Sequence, residues 1–421
     1  MKKTVTAALF LMLSCPNIQA QNGINYDESK VGDYTLPRVL VSNSGTLITT
    51  SKQWEKLRRP EILETFSSQM YGRTPKEKIQ VTYDLLDENK LDLNGKATRR
   101  QVKFTFSNGI KKIEAILLMY LPNNVKGKSP VIIGYNFKGN HSTRKDSTIL
   151  YSPSLHLVKE PTHPDWERGC QSSRWSFEDM IDRGYAVATM CYHDIFPDKK
   201  GLKDHSIVSL FSDYNTNKSD EWQAIGAWAW GSSRILDYLE TQKEVDTRKS
   251  VLMGHSRQGK AALWAGAQDK RFKIDISNDS GEGGAALSRR NFGETIEKVS
   301  SITPAWFAPA YSQYAKNEDK LPFDQHELIA LMAPRPVYVA SAEEDLWADP
   351  KGEFLSAYHA GPVYELFGLQ GLGTTTMPGN HQPIMNDVGY HIRAGKHDVT
   401  AFDWKSFMNF ADKHFKRSSD N

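Results

Sequence analysis

One segment constrains the fold of this chain more than any other: Val251-Leu252-Met253-Gly254-His255-Ser256-Arg257-Gln258-Gly259-Lys260-Ala261-Ala262-Leu263-Trp264. An apolar run enters a serine set among small residues, and an Ala-rich helical stretch leaves it. A strand, a sharp turn and a helix in that order lift the serine hydroxyl above a sheet edge, at the positive end of a helix. Backbone N–H groups there can stabilise a developing oxyanion. The turn needs small neighbours, which Gly254 and Gly259 supply. The spacing departs from Gly-x-Ser-x-Gly, because Gln258 holds the second glycine position and Gly259 follows one later. A bare Gly-x-Ser also marks ordinary helix N-caps. The strand before it and the helix after it single out Ser256 as a nucleophile.

The rest of the chain provides a setting for such a turn. Strands are expected over 130–134, 184–189, 251–254, 272–276 and 336–341. They alternate with helices over 177–183, 221–241, from 260 onward and over 404–415. Such alternation implies right-handed crossovers and a mostly parallel sheet with helices on both faces. Ahead of it, apolar and polar residues alternate through Val102, Phe104 and Phe106. With 113–121 across Ser107-Asn108-Gly109 they read as an N-terminal β-hairpin. A helix with Ile62, Leu63, Phe66 and Met70 on one face spans 54–71 and stops at Gly72. Residues 21–46 lack periodicity and are expected to wrap the surface, and long loops occupy 139–171 and 281–323. No composition shift marks a boundary, so 21–421 reads as a single α/β-hydrolase catalytic domain.

A serine hydroxyl is a weak nucleophile until a base lies within hydrogen-bond reach. In this fold the chain order is serine, acid, histidine. His397, in Gly395-Lys396-His397-Asp398 just before the last helix, occupies the base position. His391 competes, His381 reads as a loop residue and His414 as structural. For the acid, Asp345 follows the strand ending near Ser341, and Asp279 follows the strand ending near Ile276. Asp345 is preferred, with Asp279 as a second candidate. Glu282, Glu343 and Glu344 read as solvent-facing or turn-capping.

The first twenty residues have the form of an export signal: Lys2 and Lys3, an apolar run over 7–13, then Ile18-Gln19-Ala20. Cys15 raises a lipid-anchor reading, but Met12 stands where such a signal wants Leu. Of the 53 basic and 50 acidic residues, Lys2 and Lys3 fall in this segment and no acid does, which leaves +1 for the remainder. That balance calls for neither nucleic acid nor a membrane surface. No later stretch approaches the ~20 apolar residues of a membrane span. The chain is expected to be exported, periplasmic or secreted, and to act as a monomer. A disulfide between Cys170 and Cys191 and two separate thiols are both compatible with the sequence.

At this point the residues resemble a known family. Gly254-His255-Ser256-Arg257-Gln258-Gly259-Lys260 is similar to the Gly-Cys-Ser-Arg-x-Gly-Lys signature of carbohydrate esterase family 15, the glucuronoyl esterases. The likeness runs from about Trp54 to Phe415 through Asn278-Asp279-Ser280-Gly281-Glu282-Gly283-Gly284, Leu321-Pro322-Phe323-Asp324-Gln325-His326, Asp345-Leu346-Trp347-Ala348-Asp349-Pro350 and Gly395-Lys396-His397-Asp398. The resemblance implies hydrolysis of 4-O-methyl-glucuronoyl esters, which join glucuronoxylan to lignin alcohols in plant cell walls. It implies Ser256 attacking the C6 carbonyl, Arg257 as a cationic donor to the oxyanion, and Lys260, Glu294 and Trp347 as contacts to the uronate sugar. His255 replaces the usual Cys, so the disulfide of fungal members is absent, and Asp279 stands where many members carry a Glu. The alternative is an acetyl xylan esterase or broad-specificity carbohydrate carboxylesterase. No cofactor is implied, and no His-Glu-x-x-His or Cys/His spacing suggests a metal.

Overall fold

The computed structural model describes residues 23–158, 166–212 and 216–417; the segment expected to be an export signal, with Cys15, lies outside them. Ten strands form one sheet among these residues: β1 Gln80–Asp92, β2 Ala97–Ser107, β3 Lys112–Pro122, β4 Ser129–Asn136, β5 Ala186–Cys191, β6 Val245–His255, β7 Ile274–Asn278, β8 Val337–Ala342, β9 Ile384–Met385 and β10 Val388–Arg393. Their spatial order is β1-β2-β3-β5-β4-β6-β7-β8-β10-β9. Neighbours from β5 to β10 run parallel. The two edges, β1-β2-β3 and β9, are antiparallel. This is the α/β-hydrolase fold. The expected hairpin is β2-β3, with Ser107 opposite Lys112, and β1 adds a third strand to it that the sequence reading did not foresee.

Alternation along the strands sorts side chains onto two faces. Val131 and Ile133 of β4 join the core that packs helices α3 Ala224–Glu240 and α4 Arg257–Gln268. Ile132 joins the core on the opposite face, with Phe177 and Met180 of α2 Phe177–Asp182 and with Trp404 and Phe407 of α7 Ala401–Arg417. Near the start of the chain, helix α1 Arg59–Phe66 is flanked by π-type turns, so the helical stretch runs from Ser51 to Tyr71. It buries Ile62, Phe66 and Met70 and ends at Gly72 with φ +83°. Two further helices, α5 Gln325–Ala330 and α6 Pro350–His359, flank β8.

Parallel strands flanked by helices bring the loops at their carboxyl ends to one edge of the sheet, where such folds place their chemistry. Ser256 follows β6, Asp279 follows β7, Asp345 lies three residues past β8, and His397 lies four past β10. Cys170 is exposed and Cys191 fully buried, and no disulfide joins them.

Candidate active site

Ser256 sits between β6 and α4 with φ 56° and ψ −132°, a left-handed conformation that costs a non-glycine residue about 1–3 kcal/mol. Its N–H donates to Asn278 O at 2.8 Å, and its carbonyl accepts from Gly259 N at 2.8 Å. The glycines are sterically required. A Cβ on Gly254 would lie 1.9 Å from the carbonyl oxygen of Gln258, and one on Gly259 would lie 2.8 Å from Ser280 Cβ. His255 and Gln258 are buried while Ser256 remains half-buried, so the turn presents the serine to the surface.

His397 occupies the loop between β10 and α7. Its Nδ1 lies 2.6 Å from Asp345 Oδ2, and its ring centroid lies 4.4 Å from that of His255, the residue before the serine. Asp345 is 7% exposed. Asp279 is near but differently engaged. One donor atom each from Asp279, Asp345 and His397 falls within 4.8 Å of the others. Yet Asp279 Oδ2 accepts from Asn278 Nδ2 at 3.1 Å and faces Arg393 at 3.4 Å, and its Oδ1 has no hydrogen-bond partner. Burial first, then Glu353 and Asp345, push the Asp279 carboxyl well above the usual carboxylate range, against the Arg393 guanidinium. This trio has the spacing of a cation site, but Arg393 already supplies a positive charge beside Asp279.

The other histidines weighed for the base have different surroundings. His391 is buried on β10 between Tyr338 Oη at 3.0 Å and Asp403 at 2.8 Å. His381 is exposed against Phe402, and His414 is buried in α7.

Next to Ser256 in the chain, the Arg257 guanidinium pairs with Asp198 and lies over Trp306, 4.8 Å from the ring centroid. Asp198 is fixed in turn by Trp306 Nε1 at 2.8 Å and Tyr192 Oη at 3.2 Å. Lys260 is 2% exposed; its ammonium donates to the Glu282 carbonyl oxygen and to Glu294 Oε2 at 2.8 Å, and stands 5.7 Å from the Trp306 ring. Glu294 N donates to Trp347 O at 2.7 Å, which brings the half-buried Trp347 beside the Lys260–Glu294 pair.

One expectation is overturned here. Glu282 does not face solvent: it is 2% exposed, accepts from Ser288 Oγ at 2.8 Å and from Tyr311 Oη, and burial pushes its carboxyl up to about 8. Glu343 and Glu344 are exposed, as expected. Asp198, Trp306, Arg393 and Glu353 were not anticipated. Glu353 is buried under the Asp279 turn and accepts from Ser280 N at 2.7 Å, Gly281 N at 3.1 Å and Ser341 Oγ at 2.6 Å. No spacing in the sequence marks these four. Asp198 and Trp306 come from irregular loops, and Arg393 and Glu353 only from the packing of β10 and α6.

The arrangement offers a surface serine in a strained turn, an imidazole oriented by a carboxylate, and two cationic side chains, Arg257 and Lys260, on the helix that follows the serine. A profile described as glucuronyl esterase, fungi, matches residues 176–368. Carbohydrate esterase MZ0003, from an unknown prokaryotic organism, is 43% identical over 410 residues, covering 95% of this chain and 94% of its own. The structure is similar to a promiscuous CE15 esterase from a marine bacterial metagenome, with TM-score 0.86 and 43% identity over 93% of this chain and 100% of that one. It is also similar to a glucuronoyl esterase from Solibacter usitatus, with TM-score 0.85 and 45% identity over 91% and 99% of the two chains. With relatives this similar over nearly its whole length, the chain belongs to carbohydrate esterase family 15.

Proposed function

We propose that the protein is a serine carboxylesterase that cleaves 4-O-methyl-glucuronoyl esters, the links between glucuronoxylan and lignin alcohols, with Ser256, His397 and Asp345 as its triad. The observation that carries this reading is the 2.6 Å contact of His397 with Asp345, on an imidazole packed against the neighbour of a serine in a strained turn. His397 Nε2 takes the proton of Ser256 Oγ as that oxygen attacks the C6 carbonyl. Asp345 fixes the tautomer and stabilises the imidazolium. Charge on the carbonyl oxygen is met by backbone N–H groups at the start of α4 and by Arg257, which Asp198 and Trp306 hold in place. The C6–O bond then breaks, and the alcohol leaves with the proton from His397. Water repeats the sequence on the acyl-enzyme, with His397 again as base, and releases the uronate. Lys260 and Glu294 bind sugar hydroxyls, and Trp347 packs a sugar face.

The names of relatives support the substrate: a 4-O-methyl-glucuronoyl methylesterase of Schizophyllum commune is 27% identical over 87% of this chain and 82% of its own. The leader-like residues 1–20 support export to the periplasm or medium. No helix among the described residues is long and apolar enough to cross a membrane. We take the enzyme to act as a monomer. Because one relative is described as promiscuous, activity on other carbohydrate esters is the second reading. A panel of methyl glucuronate, methyl galacturonate and acetylated xylan separates the two. The glucuronoyl reading predicts the highest kcat/KM on the glucuronate, and equal or better activity on acetylated xylan would overturn it.

A further inference from the structure

Ser256 and His397 follow strands that are not neighbours: β7 and β8 lie between β6 and β10. Something must span that gap to hold the two side chains in register, and one buried residue reaches both ends of it. Asn278, the last residue of β7, is 1% exposed. Its backbone carbonyl accepts from Ser256 N at 2.8 Å. Its side-chain Nδ2 donates to His255 Nδ1 at 2.8 Å, to Asp398 O at 3.1 Å and to Asp279 Oδ2 at 3.1 Å. A carbonyl can only accept, so the amide nitrogen must face Asp398, and the same nitrogen meets His255. His255 Nδ1 then accepts, and the neutral ring carries its hydrogen on Nε2. Burial first, then the neighbouring His397, hold the His255 pKa well below its ordinary value, in keeping with that form. The amide thus grips both supports of the base. The His397 ring packs on His255 with centroids 4.4 Å apart, and Asp398 is the next residue in the chain. Arg393 holds the same loop from β10 itself: Nη2 donates to Asp398 O at 2.6 Å, Nη1 to Ala394 O at 3.1 Å, and Nε to Asp403 at 2.9 Å.

We propose that Asn278 is a positioning residue for catalysis, whose side-chain amide ties the base loop to the serine turn and so sets the separation of His397 and Ser256. The inference rests on the triad reading above. At 1% exposure Asn278 does not meet substrate. It acts through His255, which supports the imidazole from below its ring, and through the Asp398 peptide, which fixes the backbone that carries it. Proton transfer from the serine requires the two side chains within hydrogen-bond reach, and a displacement of about 1 Å costs on the order of a hundredfold in rate. An amide that served only the fold would lower the unfolding temperature and leave the kcat of the folded enzyme unchanged.

The test measures kcat and KM for wild type, Asn278→Ala, Asn278→Ser and Asn278→Asp on benzyl glucuronate and on para-nitrophenyl acetate, with thermal unfolding followed for each. Asn278→Ala leaves Asp398 O held by Arg393, so the fold should survive. Asn278→Ser fills more of the space, and its one hydroxyl hydrogen cannot serve His255 and Asp398 together; it gives the same reading should the alanine variant unfold. Both should lower kcat at least about tenfold with KM within about twofold. The factors should be alike on the two esters, because His397 serves both. Asn278→Asp keeps the shape but sets a carboxylate oxygen against the Asp398 carbonyl, and should lose at least as much. A kcat near wild type in a folded Ala or Ser variant, a loss carried by KM, a loss confined to the glucuronate, or full activity in Asn278→Asp would each overturn the proposal. Failure of all three to fold would overturn it too, by making the amide a part of the fold alone. Failure of the underlying triad reading looks different: a folded Ser256→Ala variant would then hydrolyse both esters at the wild-type rate.

Discussion

His397 Nδ1 and Asp345 Oδ2 lie 2.6 Å apart, whereas the Asp279 carboxylate, within 4.8 Å of both, turns toward Arg393 and Asn278. Two acids thus surround one imidazole, but only Asp345 orients it. Replacing Asp345 by Asn should lower kcat on benzyl glucuronate about a thousandfold or more, because the imidazole loses its tautomer and its counter-charge. Asp279→Asn should cost less than about tenfold. Comparable losses from the two variants would divide the orienting role between them.

Arg257 is held over Trp306 by Asp198, so its guanidinium is in position before substrate arrives. A donor used where charge develops affects turnover more than ground-state binding. Arg257→Ala should lower kcat by about a hundredfold with little change in KM. Asp198→Asn should cause a smaller loss of kcat by loosening the guanidinium. Steady-state kinetics on benzyl glucuronate decides, and a rise in KM alone would make Arg257 a binding residue.

The turn tolerates no side chain at position 254. In Gly254→Ala the methyl would overlap the Gln258 carbonyl, a backbone group that can move only if the start of α4 moves. Destabilisation should exceed about 3 kcal/mol, read as a lowered urea midpoint or as failure to accumulate folded protein. A variant as stable as wild type would contradict the close packing of strand and helix at the turn.

Glu353 links the site to pH. Burial raises its carboxyl from 4.5 to about 8, even though Ser341, Gly281 and Ser280 donate to it. Between those values the folded protein holds a proton that the unfolded chain releases, so this group makes stability fall as pH climbs from about 5 to about 8. Glu353→Gln removes that contribution. Its denaturation midpoint should decline less than that of wild type across the same window, and parallel declines would show that Glu353 does not titrate there.

The parallel half of the fold was legible because its strands are apolar and its helices periodic; the segment around Ser256 carried both signals on either side of one turn. The strands missed lack that clarity. β1 holds Asp84, Asp87, Glu88 and Lys90, because an edge strand keeps much of its surface in water. β10 is fully buried but contains His391 and Arg393, whose polarity Asp403 on α7 satisfies, a partner no local pattern reveals. Glu282 was misplaced for the same reason. A carboxyl in a Gly-rich loop reads as solvated until Ser288, six residues on, and Tyr311, from farther along the chain, bind it. Residues set by one turn could be read from their neighbours, whereas Asp198, Trp306 and Glu353 depend on contacts that exist only once the chain has folded.

The central claim is that the Ser256 hydroxyl attacks the ester carbonyl. Ser256→Ala should leave thermal unfolding near or above that of wild type, because the side chain is small and half-buried, while hydrolysis of benzyl glucuronate falls by about a factor of a million. The variant should also yield no covalent uronoyl adduct on intact-mass analysis when quenched during turnover, where wild type shows one. Hydrolysis by the folded variant at or near the wild-type rate would contradict the account.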